Sequence, residues 1–323
     1  MFHIASFKSK NMQSANTILM VNPSGFRFNE ETAVNNHFQI ADESQTVAQI
    51  QNKAVNEFNS MVSLLQKNGI EVIVIDHDNG AETPDAVFPN NWFSTHQNGD
   101  VYLYPMNAIN RRLERRLEIF DTIKEKHHLR VSNIIDFTHW EKKNLFLEGT
   151  GSMILDRVNC IIYASISKRT SEKLLSEYAK KMNYDVISFE SYHSSSNQSP
   201  LIYHTNVMMC LASSFAVICL EAILDQNERQ RVMDKLKETE KTIIEITFDQ
   251  MNNFAGNMLE VQNLNGDQYL VMSSKAYHSL NKSQINQIQQ YVQILHSPID
   301  TIETLGGGSA RCMMAEIFLP NQD

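Results

Sequence analysis

The 323-residue chain contains no apolar run of about 18 residues, the length a membrane-spanning helix requires. Its longest apolar stretch, FAVICL at 215–220, is only strand length. The opening MFHIASFKSKNMQSA has no apolar core of a secretory leader, so a cytoplasmic location is expected. Cysteine is sparse and unclustered: four residues, which read as reduced thiols instead of a disulfide scaffold. There is no CxxC, HExxH or paired Cys/His spacing, so neither a metal nor an organic cofactor is expected. Basic residues are outnumbered, 28 Lys and Arg against 37 Asp and Glu, for a net charge of −9. That balance argues against nucleic-acid or membrane-surface partners, which need a basic face. The one local cluster, RRLERR from Arg111, reads as a solvated helix face. No linker or low-complexity tract divides the chain, and 1–323 is expected to form a single domain.

What the chain does contain is repetition. Five stretches begin alike, anchored at Asn90, Gly149, Thr205, Gly256 and Ala310, at steps of 59, 56, 51 and 54 residues. Each opens on a small or amide residue pair and continues into an apolar strand. The first four add a turn and a second strand, with Asn98-Gly99 and Asn265-Gly266 as hairpin dipeptides. Helical spacing follows at 46–68, 111–125, 170–182, 225–240 and 281–293, and each helix leads to another strand: EVIVID, VSNIIDF, DVISFE, KTIIEIT and HSPIDTIET. The unit is strand, strand, helix, strand. A period of this size implies a repeat architecture. The fifth unit runs off the C-terminus after one strand, and the N-terminal strand NTILMVN with its helix completes it. The fold class expected is α/β: five strand–strand–helix–strand units in a ring that closes by joining the two ends of the chain, leaving no free sheet edge.

The repeat singles out residues that composition alone would pass over. Glu148, His204 and Cys312 occupy nearly the same place in three different units, so closure of the ring brings them to its centre. Cys312 follows GGGSAR, a flexible and polar flank, whereas Cys160, Cys210 and Cys219 sit inside apolar strands as small hydrophobes. A histidine among 11 is by default structural, and a strand-end Glu is by default solvated; position in the repeat raises both. A thiol, an imidazole and a carboxylate meeting at one point are the parts of a covalent catalyst. Asp85, after Pro84, is either a turn residue or an anchor for a cationic or amide group. Asn91 is placed to hydrogen-bond a planar polar group. The segment NPSGFRFNEETAVNNHFQ at 22–39 has no period and reads as a loop near function, or simply as a surface loop.

These motifs resemble the guanidine-modifying superfamily of arginine deiminases, dimethylarginine dimethylaminohydrolases and amidinotransferases. GGGSARCMMAE is similar to its nucleophile segment, YHTNVMM to its histidine segment, LEGTGSMI to its acid segment, and PDAVFPNNWF to the segment that binds the reacting group. The loop at 22–39 and TPDAVFPNNWFSTH look closest to the bacterial citrulline utilisation hydrolases. The resemblance implies that the ring of five units is a five-bladed, pseudo-symmetric α/β-propeller (pentein). It implies a Cys312 nucleophile, His204 as general acid/base, Glu148 orienting His204 or the substrate, and a thiouronium-type covalent intermediate. It makes Asp85 a ligand of the substrate nitrogen.

The partner it implies is a small guanidino or ureido amino acid, bound by a monomer or homodimer. Two departures bear on the substrate: Asn206 stands where arginine deiminases commonly carry Asp, and Asn91 stands where dimethylarginine hydrolases carry a second Asp. An amide both donates and accepts, which suits a neutral ureido group better than a cation. The reading is therefore a cysteine-dependent carbon–nitrogen hydrolase acting on citrulline or an arginine derivative. Deiminase, amidinotransferase and non-catalytic binding roles are the alternatives. Arg27, Arg111 and Arg311 are open candidates for the substrate carboxylate.

Overall fold

A computed structural model describes residues 12–42, 44–78 and 80–322; residues 1–11, where the leader was sought, lie outside these. In chain order the strands are β1 (Thr17–Val21), β2 (Glu71–Ile75), β3 (Phe93–Thr95), β4 (Asp100–Leu103), β5 (Asn133–Asp136), β6 (Ile154–Asp156), β7 (Ile161–Ser165) and β8 (Asp185–Phe189). They continue as β9 (Met209–Leu211), β10 (Phe215–Ile218), β11 (Thr242–Glu245), β12 (Leu259–Gln262), β13 (Gln268–Ser273), β14 (Gln293–Ser297) and β15 (Ala315–Ile317). They form five three-stranded sheets: β3-β4-β5, β6-β7-β8, β9-β10-β11, β12-β13-β14 and β15-β1-β2. In every sheet the middle strand is antiparallel to the first and parallel to the third. A two-strand hairpin permits the antiparallel step, and a helical crossover supplies the parallel one. The last sheet joins the two ends of the chain, with Thr17 opposite Ile317. This is the expected five-bladed propeller, with one correction: the five sheets stay separate and each keeps its edge strands, so closing the ring does not remove sheet edges.

Local chemistry explains the elements. Thr46 caps the helix Val47–Lys67 in a reciprocal box with Gln49, and the apolar face of Ile50, Ala54, Phe58, Met61 and Leu65 is buried. Burying each of the larger side chains contributes roughly 1.5–3 kcal/mol. Gly99 and Gly266 take a φ of +86° in their hairpins, a conformation only glycine adopts without strain. The first strands pack against one another around the axis: β3 against β15, β6 against β9, and β9 against β12.

Two further expectations are corrected. HSPIDTIET is not a strand throughout: β14 ends at Ser297 and Asp300–Gly306 is a helix. Pro298 has no N–H for the ladder. The Glu57 carboxylate accepts the backbone N–H groups of Thr301 and Ile302 at 2.9 and 3.1 Å, capping the new helix. Nor is RRLERR a solvated face. Its region breaks into a 3-10 turn, Asn110–Glu114, and the helix Glu118–His127. Arg111 is only 3% exposed. Among the described residues no helix is long and apolar enough to cross a membrane.

Candidate active site

Each blade is entered through a short turn beside the axis: Pro89–Asn91, Gly149–Ser152 and Thr205–Val207 in the first three, and hydrogen-bonded turns ending at Asn257 and Cys312 in the last two. These turns present the polar side chains. Glu148, fully buried, approaches His204 Nε2 through Oε2 at 2.7 Å and accepts the Asn107 backbone N–H through Oε1 at 2.8 Å. Burial opposes the Glu148 charge, but Arg169, then His204, then Arg111 outweigh it and hold its pKa at about 2. Burial is also the largest influence on His204. With Arg169 and Arg111 it overcomes the raising effect of Glu148 and brings the imidazole down to about 4. At neutral pH the pair is a carboxylate accepting from a neutral imidazole, which fixes the tautomer with the proton on Nε2 and a lone pair on Nδ1.

Cys312 sits at the end of the turn from Ser309, whose carbonyl accepts the Cys312 N–H at 2.9 Å. Two amides, Asn257 Nδ2 at 3.3 Å and Asn206 Nδ2 at 3.5 Å, donate toward its sulfur. Gly307 has a φ of +64°, and Tyr203 Oη donates to its carbonyl at 2.8 Å, so the glycine run is held as a wall of the site.

Asp85 and Asn91 line the same cavity as His204 and Cys312. Asp85 Oδ2 accepts from Asn29 Nδ2 at 2.7 Å and Thr32 Oγ1 at 3.0 Å, while Oδ1 has no partner. Burial raises the Asp85 pKa, with Arg111 the largest counterweight. Asn91 Oδ1 accepts from Arg111 Nη1 at 2.8 Å, and Asn91 Nδ2 has no partner. A Cβ at position 151 would strike both Asn91 Nδ2 and His204 Nδ1, so Gly151 is what allows these two groups to face the same point.

The three candidate cations separate. Arg27 pairs with Glu82 at the surface, its side chain 38% exposed, and is not brought to the cavity. Arg311 points away from Cys312, to Met314 O at 2.8 Å and Glu316 at 2.7 Å. Arg111 does line the cavity but is bound to Glu114, Asn91 and Phe88 O. A fourth cation, Arg169, lies over the Tyr203 ring at 4.8 Å and 3.6 Å from Glu148.

Sequence reasoning missed Arg169 and Asn257. Asn257 follows the fourth repeat anchor directly, so the repeat held its signal. Arg169 follows the second hairpin as Arg111 follows the first, a fainter one.

The loop at 22–39 covers the cavity. Besides Asn29 and Thr32 on Asp85, Asn36 Nδ2 donates to Gly306 O at 3.2 Å and Gln39 Nε2 to Leu305 O at 3.0 Å, while Arg169 Nε donates to Asn35. The space left is about 20 Å³, room for roughly one water molecule. An amino-acid substrate therefore requires this cover to move. A larger surface cavity of about 560 Å³ beside Phe146 and Thr170 is lined by neither His nor Cys, so size does not mark the site. Among the described residues no cluster of three or more His, Cys, Asp or Glu is placed to hold a metal.

Five blades around a buried Cys, His and Glu define the class of guanidine-modifying α/β-propellers, the penteins. Within it, the model of the family described as eukaryotic N,N dimethylarginine dimethylhydrolase matches residues 22–319, and the chain belongs to that family. Among solved structures, the N-terminal domain of ArgZ, an arginine dihydrolase from the ornithine–ammonia cycle in cyanobacteria, is similar with a TM-score of 0.70 at 19% identity, over 94% of this chain and 99% of that one. Apo ArgZ gives 0.71 at 18% identity, covering 94% of this chain but only 41% of that longer one. A dimethylarginine dimethylaminohydrolase adduct with S-methyl-L-thiocitrulline gives 0.59 at 14% identity, over 93% and 99%. No curated protein sequence matches the chain. At these identities the structural likeness carries the fold.

Proposed function

We propose that this chain is a cysteine-dependent hydrolase of a carbon–nitrogen bond in a ureido or guanidino amino acid, with citrulline as the favoured substrate. The observation that carries the reading is convergence: Cys312, His204 and Asp85 line one buried cavity, with Glu148 behind His204. Cys312 loses its proton to His204 Nδ1 and its sulfur attacks the planar carbon, forming the C–S bond. The C–N bond breaks as His204 returns that proton to the leaving nitrogen. Water then adds to the carbon, His204 takes its proton, and the C–S bond breaks as that proton passes to the departing sulfur. A guanidino substrate leaves as a ureido product, whereas a ureido substrate leaves as a carbamate that loses CO2, so that citrulline gives ornithine, ammonia and CO2. The intermediate is a thiocarbamate from a ureido substrate, or a thiouronium from a guanidino one. Glu148 steadies the imidazolium formed between steps. Asp85 Oδ1 accepts an N–H of the substrate, and Arg169 is the cation for its carboxylate. The free donor of Asn91 favours a neutral group, while Asn206, its Nδ2 turned to Cys312, leaves an acceptor free.

A second reading, arginine as substrate, draws support from the two buried carboxylates, Asp85 and Glu148, and from the name of ArgZ as an arginine dihydrolase. The test is product analysis of the purified protein given L-citrulline, L-arginine and methylated arginines in parallel. Ornithine and ammonia from citrulline, lost in Cys312→Ser, support the first reading. Citrulline from arginine, without further conversion, sinks it in favour of a deiminase.

A further inference from the structure

We propose that Arg111 is a specificity-determining positioning residue: it holds the Asn91 amide with its N–H groups toward the reacting carbon, so the site takes a ureido carbonyl and rejects a guanidinium. The inference rests on the hydrolase reading above and deepens it.

An asparagine amide ordinarily can turn about its last bond, exchanging donor for acceptor. Here its partner decides the orientation. A guanidinium only donates, so the atom of Asn91 that meets Arg111 Nη1 at 2.8 Å is the carbonyl oxygen. Arg111 itself has no freedom. Its Nε and Nη2 donate to the two oxygens of Glu114 at 2.8 and 2.9 Å, and Nη2 also reaches Phe88 O at 3.0 Å. Burial opposes its charge, but Glu114 more than restores it, so Arg111 stays a donor at every accessible pH. Both members of the ion pair and Asn91 are buried. The amide nitrogen is thereby turned toward Gly151 and His204 and is left without a partner.

A buried donor left unpaired costs about 1–3 kcal/mol, and a ligand that supplies an acceptor recovers it. Two unpartnered acceptors complement it, Asp85 Oδ1 in the same cavity and Asn206 Oδ1 beside Cys312. Together they offer one donor and two acceptors. A ureido group presents a carbonyl oxygen and N–H groups and satisfies all three. A guanidinium presents N–H groups only, and one of them must face the Asn91 N–H. Sites built on buried hydrogen bonds discriminate strongly because the wrong ligand leaves them unpaired. This also accounts for the buried Glu114: without it, Arg111 would be an uncompensated charge beside the substrate.

The experiment measures the ratio of kcat/KM for L-citrulline to that for L-arginine. In parallel, calorimetry measures binding of both ligands to Cys312→Ser, in which turnover is removed. Asn91→Asp replaces the inward donor with an acceptor at constant shape and is expected to lower the citrulline-to-arginine ratio by about 100-fold. Arg111→Met combined with Glu114→Gln removes the clamp without leaving a charge buried, and the freed amide is expected to lower the ratio about tenfold. A ratio within twofold of the parent in both variants, in turnover and in binding, overturns the proposal. If the double variant does not fold, Arg111→Lys, which keeps the charge beside Glu114 but loses the fork that holds the amide, decides in its place by the same ratio. If the parent turns over neither compound, the hydrolase reading fails, while the binding ratio in the Cys312→Ser background still tests the role of Arg111.

Discussion

Arg311 and Cys312 are neighbours in the chain and line different cavities, Cys312 at the end of the propeller that holds Asp85 and His204 and Arg311 at the end that holds Arg157 and Glu316. Around Cys312, polarity is left unfinished: Asp85 Oδ1 and Asn91 Nδ2 are buried with no partner. Around Arg311, charges are paired within the chain. Its Nη1 donates to Met314 O at 2.8 Å and its Nη2 to Glu316 at 2.7 Å, while Arg157 stacks its cation 4.0 Å over the Phe318 ring and lies 3.9 Å from Glu316. Both ends bury charge within the same fold. At one end charge is spent on internal bonds that hold the ring together. At the other, hydrogen-bonding capacity is held back, at a cost to stability, for something that is not part of the chain.

The comparison breaks most visibly at the sulfur. Cys312→Ser is expected to reduce turnover by roughly 10⁴-fold or more while leaving thermal unfolding within a few degrees of the parent, because only one buried atom changes. Turnover that survives the substitution would remove the covalent step. Glu148→Gln comes next. It takes the charge from the imidazole and is expected to lower kcat by about 10²–10³-fold with a small change in KM; a pure rise in KM would make Glu148 a substrate ligand instead. Arg169→Met is expected to raise KM by about 10–100-fold with less effect on kcat, which isolates a carboxylate ligand from a catalytic group.

At the unfinished end His204 and Glu148 contribute an acid limb of stability, offset in part between pH 7 and 4.5 by Glu114, which burial raises to about 7. His204 is held at about 4 against an ordinary 6.5, so between these values the unfolded chain binds more protons, and stability falls as pH falls through that interval. Glu148, held at about 2 against 4.5, extends the loss as pH falls further through its own interval. Chemical denaturation from pH 7 down to pH 3 reads the slope. His204→Gln is expected to flatten it above pH 4, and an unchanged slope would assign the acid sensitivity elsewhere.

The sequence made the blades legible because each one states the same hairpin again, and a repeat is visible without knowing any contact. It made Glu148, His204 and Cys312 legible for the same reason: they stand at matching entrances, and the closed ring gathers them around one cavity. Asn257 was readable by that logic beside Gly256. Arg111 was misread as part of a solvated face because a charge pattern does not show that Glu114, three residues on, supplies a buried partner. Arg169 carries only the faint signal of following its hairpin as Arg111 follows the first; the fold turns it inward across Tyr203. The helix Asp300–Gly306 was misread because its cap is Glu57, far away in sequence.

The smallest expected effect on activity belongs to the closed end. Arg311→Met leaves Glu316 buried without its nearest cation, and breaking a buried pair from one side is strongly destabilising. The midpoint of thermal unfolding should fall by several degrees, while kcat/KM at a temperature where the variant remains folded should change less than about threefold. Adding Glu316→Gln should recover much of the lost stability, since the uncompensated charge is then gone. Selectivity between citrulline and arginine should not move in either variant. If it does, the two ends of the axis are coupled through the turn that carries both residues, and Arg311 tunes the nucleophile as well as the ring.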